Sequence, residues 1–439
     1  MTRRRHPDAG PATPAGPTRR AVLAAGALAL APRPAAAGPL PLHKAEDFTH
    51  AVGVNTHFGH PASPYVGLFE RCAAALDELG IRHLRDDIVL QGPEPPPQFQ
   101  RIARLARDGY RFSLIFYDGL DIAPLVPPRR LTDIATWSAG GLEIAEGGNE
   151  PNIAAGGPTR ARASAEHQRA LYRAARGDPR AQAVKVAGPS YIFGNVAAAE
   201  NLANAVDFGN IHPYPGMEHP ETDGNGDLRR FVAAVRPVFG GAPILATENG
   251  YHTALATESF HLPVSEAVRA RYMPRLLLWS FLQGVRRTYL YELISSQDRG
   301  DADPESRFGL LRHDGSPMPA FRAVANLMRL FRPGAAGTAV PPDVALETER
   351  PDLQAARFLR GDGALLVPIW LGVGAWDQGR RRALPELAPR PVGLRLPAPP
   401  NAARLHRFAD DGSVGVEALA PDRRLAFGIT DRLSVLELR

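Results

Sequence analysis

Short runs rich in β-branched and aromatic residues alternate with amphipathic helical segments over most of the chain. Eight such runs occur, at residues 51–58, 81–87, 111–119, 141–150, 183–191, 207–215, 242–250 and 286–294. Strands separated by helices form βαβ units, whose strands lie parallel in one sheet. Eight units in this length of chain predict an α/β fold of the (β/α)8 TIM-barrel type. A doubly wound sheet would also alternate, but residues 53–61 (GVNTHFGHP) lack the glycine-rich phosphate turn expected after its first strand.

The pattern changes after residue 335, where proline and glycine become dense and helical periodicity ends. Short β-like runs such as GALLVPIWLG (363–372) and RLSVLELR (432–439) follow one another between turn signals. This spacing predicts a small C-terminal β-sandwich at residues 336–439, packed on a catalytic barrel at residues 38–335. Such a domain would either stabilise the barrel or have a separate binding role. The polar, glycine-rich segment 218–230 is expected to be a surface loop above the barrel.

The first 37 residues have the order of regions found in an export signal. Arg19 and Arg20 precede the apolar stretch 21–31, which is too short to span a bilayer, and small residues lead to Ala37. The paired arginines resemble a twin-arginine signal, which predicts a periplasmic or secreted protein. No other uncharged apolar stretch reaches 18 residues, so we expect no stable membrane insertion after the signal is removed. The single cysteine, Cys72, excludes a disulfide within the chain.

Net charge excludes one class of partner. The six arginines and one aspartate of residues 1–37 account for the whole formal charge of +5, and the rest of the chain is neutral. A neutral body gives no electrostatic reason to bind nucleic acid. The histidines show no metal-ligand spacing, and neither a His-Glu-x-x-His motif nor a Gly-x-Ser-x-Gly elbow occurs. We therefore expect no metal and no cofactor, and a chain that works as a monomer.

Polar residues lie at the C-terminal end of every predicted strand. In a (β/α)8 barrel the carboxyl ends of the strands meet at one face, where active sites lie. The polar residues at these ends are His57, Arg85, Asp86, Asp87, Tyr117, Asp118, Asn149, Glu150, Ser190, Tyr191, His212, Tyr214, Glu248, Asn249 and Glu292. Their convergence on one mouth predicts a functional site there.

Two of these carboxylates suit the cleavage of a glycosidic bond. That reaction needs an acid to protonate the leaving oxygen and a carboxylate to meet an oxocarbenium-like carbon, and in retaining enzymes the two stand about 5–5.5 Å apart. Glu150 ends the fourth predicted strand and Glu248 ends the seventh. These strands face each other across a barrel, so the two side chains can reach that separation.

The motifs GGNEPN (147–152), LATENG (245–250), HLRDD (83–87) and IHPYP (211–215) occur in the order seen in a known group of barrel enzymes. With them, residues 48–330 resemble the retaining glycoside hydrolases of clan A, nearest to families 39 and 5. The resemblance implies hydrolysis of a poly- or oligosaccharide by double displacement, with Glu150 as acid/base and Glu248 as nucleophile. One departure is the end of the eighth strand, where the clan commonly has tryptophan and this chain has Tyr291 and Glu292.

The resemblance also implies a substrate-binding set, which consists of Asn149, Arg85, His212, Tyr214, His57, Tyr117, Asn249, Tyr251 and Glu292. In that set Asn149 would bind the sugar 2-hydroxyl, and Arg85 and Tyr214 would hold Glu248 as an anion. His212 would bind substrate or tune Glu150, while Tyr117 and Tyr251 are candidates for stacking on sugar rings.

Two alternative functions remain at this stage: a non-catalytic glycan-binding barrel, and a barrel enzyme of another chemistry such as a lyase. The three glutamates of EIAEGGNEPN (143–152) separate by position. Glu150 is the candidate acid/base, Glu146 a charge partner for Arg85 or a substrate contact, and Glu143 a structural residue at the far end of the strand. Gly147 and Gly148 are expected to free the backbone and to keep side chains away from the sugar.

Overall fold

The computed structural model describes residues 39–90, 92–118, 126–153, 157–192, 196–259, 261–332, 334, 341–348 and 350–439. The predicted export signal at residues 1–37 lies outside the described residues, and so does the side chain of Tyr117. Within the described ranges, none of the helices combines the length and the apolar character that crossing a membrane requires.

Parallel strands form a barrel in the first three quarters of the chain. Strand β1 (Leu42–Lys44) comes before the barrel in sequence and is not part of it. The barrel strands are β2 (Val52–Asn55), β3 (His83–Asp87), β4 (Arg111–Asp118), β5 (Leu142–Asn149), β6 (Lys185–Ala187), β7 (Tyr191–Ile192), β8 (Gly209–His212), β9 (Ile244–Asn249) and β10 (Arg287–Leu290). They pair in the order β6-β5-β4-β3-β2-β10-β9-β8-β7.

The fifth predicted strand closes the barrel in two pieces. β6 pairs with β5, and β7 pairs with β8. Between them Ser190 N donates to Gly148 O at 2.8 Å, and Gly188 N donates to Phe208 O at 2.9 Å. Because β6 and β7 occupy one barrel position, the eight strand positions predicted from the alternation are confirmed.

Helices surround the barrel and cover its apolar outer face. They are α1 (Ala45–His50), α2 (Pro64–Gly67), α3 (Phe69–Leu79), α4 (Gln98–Arg107), α5 (Leu131–Trp137), α6 (Gly157–Gly177), α7 (Leu228–Phe239), α8 (Glu266–Leu282) and α9 (Pro319–Phe331). Local sequence sets their limits: Gly80 ends α3 in a left-handed conformation, and the Ser265 side chain caps the start of α8.

The inside of the barrel is layered because side chains alternate along each strand. Ile144, Ala187 and Leu245 form a small apolar layer within it. Glu146 lies two residues after Ile144 on β5, and Thr247 lies two residues after Leu245 on β9. The side chains of Glu146 and Thr247 are completely buried. The apolar layer thus supports a polar layer directly below the carboxyl-end mouth.

The C-terminal strands form the predicted sandwich. They are β11 (Ala345–Leu346), β12 (Leu353–Ala355), β13 (Arg357–Leu359), β14 (Leu365–Leu371), β15 (Trp376–Asp377), β16 (Arg382–Ala383), β17 (Arg390–Arg395), β18 (Ala403–Phe408), β19 (Val414–Leu419), β20 (Arg424–Ile429) and β21 (Ser434–Leu438). One sheet has the order β1-β13-β14-β21-β18-β19, and β12 also pairs with β14. The second sheet has the order β11-β17-β20. β1, which comes before the barrel strands in sequence, pairs in parallel with β13 and so joins the sandwich sheet.

Strand β14 is buried on both faces, which explains its unbroken apolar sequence LLVPIWL. Val367, Ile369 and Leu371 pack in the apolar core between the two sandwich sheets. Leu366 and Trp370, on the opposite face, belong to the core shared with the barrel helices. The seven-stranded sheet is therefore the middle layer between the barrel and the small outer sheet.

The segment expected to be a surface loop, 218–230, is also anchored at this interface. Glu221 is buried, and its carboxylate accepts hydrogen bonds from Arg275 Nε of α8 at 3.1 Å and from Trp370 Nε1 of β14 at 2.6 Å. Arg275 also donates to Asp431 O at 2.9 Å. Exposed residues such as Asp223 and Asn225 agree with the expected surface loop, whereas Glu221 within it forms a buried ion pair.

We predict that Glu221→Gln lowers the free energy of unfolding by about 3–5 kcal/mol, because it leaves the buried Arg275 charge without its partner. Urea denaturation measures this loss. Glu417→Gln is the matched control, since the side chains of Glu417 and its partner Arg407 are 52% and 40% exposed and their ion pair contributes little. Equal stability of the two variants would show that the Glu221 contact does not hold the domains together.

The same ion pair predicts a pH dependence. Burial raises the pKa of Glu221, but the Arg275 charge and hydrogen bonds outweigh it and lower the pKa from 4.5 to about 2. A carboxyl with a depressed folded-state pKa stabilises the fold above its unfolded pKa and loses that contribution as the pH falls. The stability difference between wild type and Glu221→Gln should therefore shrink between pH 4.5 and about 2, as measured by urea denaturation across that range. A difference that does not change with pH would contradict this assignment.

Candidate active site

The mouth of the barrel at the carboxyl ends of the strands gathers most of the predicted site residues. Its polar layer consists of Asn55 from β2, Arg85 from β3, Glu146 and Asn149 from β5, His212 from β8, and Thr247 and Glu248 from β9, with Glu150 directly after β5. The side chains of Glu150 and Glu248 remain 11% and 13% exposed, so both carboxylates can be reached from the mouth.

Arg85 is the centre of this layer. Its Nε donates to Glu146 Oε2 at 2.9 Å, and its Nη2 donates to Glu146 Oε1 at 2.7 Å and to Asn149 Oδ1 at 2.8 Å. Its Nη1 donates to Asn55 Oδ1 at 3.0 Å and to Glu248 Oε1 at 2.5 Å. All five N–H donors of the guanidinium are thus used within the protein. Glu146 is confirmed as a charge partner of Arg85.

The contact with Arg85 also orients Asn149. Arginine can only donate, so the amide atom that faces it is the oxygen. The Asn149 nitrogen is then directed away from Arg85, and its two N–H donors have no acceptor among the described residues.

Glu248 is held as an anion. Arg85 binds one carboxylate oxygen, and the Tyr214 hydroxyl donates to the other at 2.7 Å. Burial alone would raise the pKa of Glu248, but the charges of His212 and Arg85 and the hydrogen bonds from Tyr214 and Arg85 lower it. The predicted pairing of Arg85 and Tyr214 with Glu248 is present in the structure.

Glu150 has a different environment. Its Oε1 lies 2.7 Å from His212 Nδ1, and its backbone N–H donates to Ser190 Oγ at 3.2 Å. Glu150 adopts a φ of 44°, a conformation that non-glycine residues rarely take. The turn directs its side chain toward His212, and no arginine forms an ion pair with it among the described residues.

The tautomer of His212 follows from the groups on its other side. Thr247 Oγ1 lies 3.0 Å from His212 Nε2, and its own proton faces the acceptors Asn210 Oδ1 at 2.8 Å and Glu146 Oε1 at 3.0 Å. Thr247 must therefore accept from His212 Nε2, which carries a proton. Nδ1 then either accepts a proton from Glu150 or donates one to it, so the contact holds one proton in both forms.

The two carboxylates are close together. One oxygen of Glu150, one oxygen of Glu248 and a ring nitrogen of His212 all lie within 4.8 Å of one another. This agrees with the separation of about 5–5.5 Å that a retaining glycosidase needs. Donor atoms of His57, His60 and Asp87 form a second group of this kind, so these two triads are the described clusters whose atoms could hold a metal ion.

His57 and Glu292 line the mouth beside the pair. The His57 ring lies between two carboxylates, with Nδ1 3.3 Å from Asp87 and Nε2 3.5 Å from Glu292. Burial lowers the pKa of His57, but the hydrogen bond to Asp87 and the charge of Glu292 raise it to about 9. Glu292 also accepts from the Tyr65 hydroxyl at 3.1 Å, and burial raises its pKa.

Two predicted substrate contacts are not directed at this group. Tyr251 is fully buried, its ring packs on Tyr272, and its hydroxyl donates to Glu218 O at 2.9 Å. Asn249 is 1% exposed, and its side-chain oxygen accepts from Gly250 N. Gly147 also faces away from the mouth, because a Cβ there would lie 2.0 Å from Gln168 Oε1 of α6. This glycine is required by helix packing and does not make room for a sugar.

Sequence reasoning missed several residues of the site. Asn55, Thr247, Tyr65 and Glu305 were not singled out. Asn55 Nδ2 donates to Thr247 O at 3.0 Å and so connects β2 with β9. Asn55 and Thr247 are polar residues inside otherwise apolar strands, a signal that could have identified both.

No protein-family model matches the chain, and no curated protein is significantly similar to it in sequence. Among solved structures, a family 39 glycoside hydrolase from the gut symbiont Bacteroides cellulosilyticus WH2 is similar with a TM-score of 0.58 at 14% identity, over 90% of this chain and 82% of that chain. This likeness covers barrel and sandwich together and shows a shared fold.

Two further similar structures have lower scores. The GH51 arabinofuranosidase from Xanthomonas axonopodis pv. citri gives a TM-score of 0.49 at 11% identity, over 83% of this chain and 89% of that chain. A β-1,3-glucanosyltransferase from Rhizomucor miehei gives 0.46 at 15% identity, over 61% and 96%.

We predict that Tyr214→Phe raises the pKa of Glu248, because the carboxylate loses one of its two hydrogen-bond donors. Carbon NMR titration of glutamate carboxyl groups measures the pKa, with assignment from Glu248→Gln. Tyr289→Phe is the control, since Tyr289 is a buried barrel tyrosine whose hydroxyl contacts Arg287. An unchanged Glu248 titration in Tyr214→Phe would mean that the hydroxyl does not stabilise the anion.

Proposed function

We propose that this chain is an exported retaining glycoside hydrolase, with Glu248 as nucleophile and Glu150 as general acid/base. The observation that carries the proposal is that two adjacent carboxylates have different hydrogen-bond partners. Glu248 accepts hydrogen bonds from Arg85 and Tyr214, and both contacts favour its anion. Glu150 instead shares a proton with His212. Paired carboxylates that differ in this way are the arrangement that acid and nucleophile roles require.

The geometry supports a double displacement. In the first step an oxygen of Glu248 bonds to the anomeric carbon, the glycosidic bond breaks, and the leaving oxygen takes the proton from Glu150. In the second step water attacks the same carbon, Glu150 takes the proton of the water, and the bond to Glu248 breaks. Because each step inverts the carbon once, the product keeps the original configuration.

The neighbouring residues have roles that fit this sequence. The free N–H donors of Asn149 can bind the sugar 2-hydroxyl, an interaction that strengthens in the transition state. His212 holds the Glu150 carboxyl in position through its contact at Nδ1. Ser190 fixes the backbone of Glu150 through the contact with its N–H, and so sets the direction of the acid.

The similar family 39 structure supports the class of reaction, since that protein is named a glycoside hydrolase and the likeness covers 90% of this chain. Export is supported by the sequence of residues 1–37 alone. Mass spectrometry of the protein secreted by a host with a twin-arginine pathway tests it, and retention of the chain in the cytoplasm would count against it. The decisive experiment for the reaction is NMR of the first product formed from a panel of glycans, which should show retained anomeric configuration.

We predict that Glu150→Gln lowers kcat/KM by about 10²–10⁴-fold on glycans, because the leaving oxygen is no longer protonated. On a dinitrophenyl glycoside, whose leaving group needs no proton, the first step should be largely preserved, as measured by the burst of dinitrophenolate. Glu248→Gln should lose both activities, since it removes the nucleophile.

Glu143→Gln is the matched control on the same strand. Glu143 lies at the opposite end of β5, where it pairs with Arg287 and His83, and its loss should leave kcat/KM nearly unchanged. Wild-type turnover by either Glu150→Gln or Glu248→Gln would refute the assignment of that residue.

A further inference from the structure

Two histidines and one carboxylate meet at the side of the mouth formed by β2 and β3, and the proposed reaction does not use them. His57 Nδ1 lies 3.3 Å from Asp87 Oδ1, and His60 Nε2 lies 2.7 Å from Asp87 Oδ2. One donor atom from each of the three residues lies within 4.8 Å of the other two. Two imidazoles and one carboxylate are a ligand set that binds zinc and leaves one position of the ion open.

The backbone holds these three side chains together. The two histidines begin and end the segment HFGH (57–60), which follows β2. Its Gly59 allows a close approach to the segment after β3, since a Cβ there would lie 2.7 Å from Val89 Cγ2 and 3.0 Å from Gln98 Oε1. Gln98 also donates to Asp87 O at 2.8 Å, at the end of β3. The cluster is therefore formed by the fold itself, before any ligand binds.

The other ring nitrogen of His57 faces a buried carboxylate. Its Nε2 lies 3.5 Å from Glu292 Oε2 and makes no hydrogen bond with the described residues. Glu292 is completely buried and accepts from the Tyr65 hydroxyl at 3.1 Å and from Ser296 N at 3.0 Å. Metal-binding histidines commonly direct their second nitrogen at such a carboxylate, which orients the ring and makes the first nitrogen a better ligand. Glu292 gives His57 this partner from a different part of the barrel.

The carboxylates of β3 lack a partner of fixed positive charge. Asp86 is 1% exposed, and its Oδ2 accepts from Phe58 N at 3.1 Å, while its Oδ1 has no hydrogen-bond partner among the described residues. Within the described ranges, no arginine or lysine forms an ion pair with Asp86 or Asp87. Arg101 reaches the same segment, but it donates to Phe58 O at 3.4 Å.

The positive charge that these carboxylates attract is now a proton on His57. Burial lowers the pKa of His57, but the hydrogen bond to Asp87 and the charges of Glu292 and Asp86 raise it to about 9. Histidine binds metals as the neutral imidazole, so a metal ion would displace this proton. The ion would then bring two positive charges to the place where the proton brings one.

We propose that His57 Nδ1, His60 Nε2 and one oxygen of Asp87 bind a divalent transition-metal ion, of which Zn²⁺ is the type. The 3.3 Å between His57 Nδ1 and Asp87 Oδ1 is the separation of two ligands on a tetrahedral zinc ion, about 3.3–3.5 Å. The ring of His60 is half exposed, so it has room to turn and complete the set. A metal ion at this place contradicts the expectation from sequence that the chain binds none.

This site is separate from the group of Glu150, His212 and Glu248, whose atoms also lie within 4.8 Å of one another. In that group Glu248 already accepts from Arg85, a fixed cation that opposes a metal ion at the same carboxylate. The inference does not depend on hydrolysis, because binding of the ion can be measured without a sugar.

Zinc binding to the full chain tests the proposal. The tag-free protein is stripped with a chelator, and binding of Zn²⁺ is measured by isothermal titration calorimetry. We expect one ion per chain. Loss of a residue that merely contacts a ligand weakens metal sites by about 10–100-fold, so His60→Gln and Asp87→Asn should each weaken binding by about 100-fold or more. Co²⁺ gives a second readout, since its visible absorption bands should be present in the wild type and lost in His60→Gln.

Matched variants separate loss of the site from loss of the fold. His50→Gln removes an exposed histidine at the opposite end of the barrel and should leave zinc binding unchanged. Glu150→Gln should also leave it unchanged, because it alters the other group of candidate ligands. His60→Gln keeps a polar side chain at a half-exposed position, so its circular dichroism should equal that of the wild type, and this variant decides the test if Asp87→Asn folds poorly.

Two results would overturn the inference directly: a wild-type chain that binds no zinc, or equal binding by the wild type and His60→Gln. Zinc binding that is lost in Glu150→Gln and kept in His60→Gln would assign the ion to the other group and overturn it as well. None of these results bears on the proposed hydrolysis, which is judged by the configuration of the product.

Discussion

The buried guanidinium of Arg85 determines the electrostatics of the whole mouth. One positive charge lies between two carboxylates, Glu146 and Glu248, and its hydrogen bonds reach three strands on different sides of the barrel. Arg85 and the Tyr214 hydroxyl stabilise Glu248 as an anion, whereas Glu150 contacts His212 and forms no ion pair with an arginine among the described residues. The difference between the environments of Glu248 and Glu150 thus depends on where Arg85 donates.

Sequence alone was sufficient for the barrel and for the central residues of the site. Alternating strand and helix patterns predict the eight positions, and the barrel then brings the last residues of the strands to one face. This is why Glu150, Glu248 and Arg85 could be placed together although they are far apart in the chain. The positions along β5 also separated Glu146, inside the barrel, from Glu143 at its base.

The misread and missed features share a physical cause: they depend on distances between segments that no local pattern encodes. Glu221 has the polar neighbours of a surface loop, yet its carboxylate is buried against Trp370. β1 is three residues long and gains its structure only by pairing with a strand more than 300 residues later. Glu305 comes from a short turn, and only the hydroxyl of Tyr291 relates it to the mouth.

The sandwich domain also takes part in shaping the site. The segment after β8 carries Tyr214, which holds Glu248, and seven residues later Glu221, which is fixed by α8 and β14. Tyr251 stabilises the same segment by donating to Glu218 O between these two points. The segment is therefore held at the mouth by Glu248 and at the sandwich by Arg275 and Trp370. A domain that packs against the barrel in this way contributes to the position of Tyr214, and through it to the charge of Glu248.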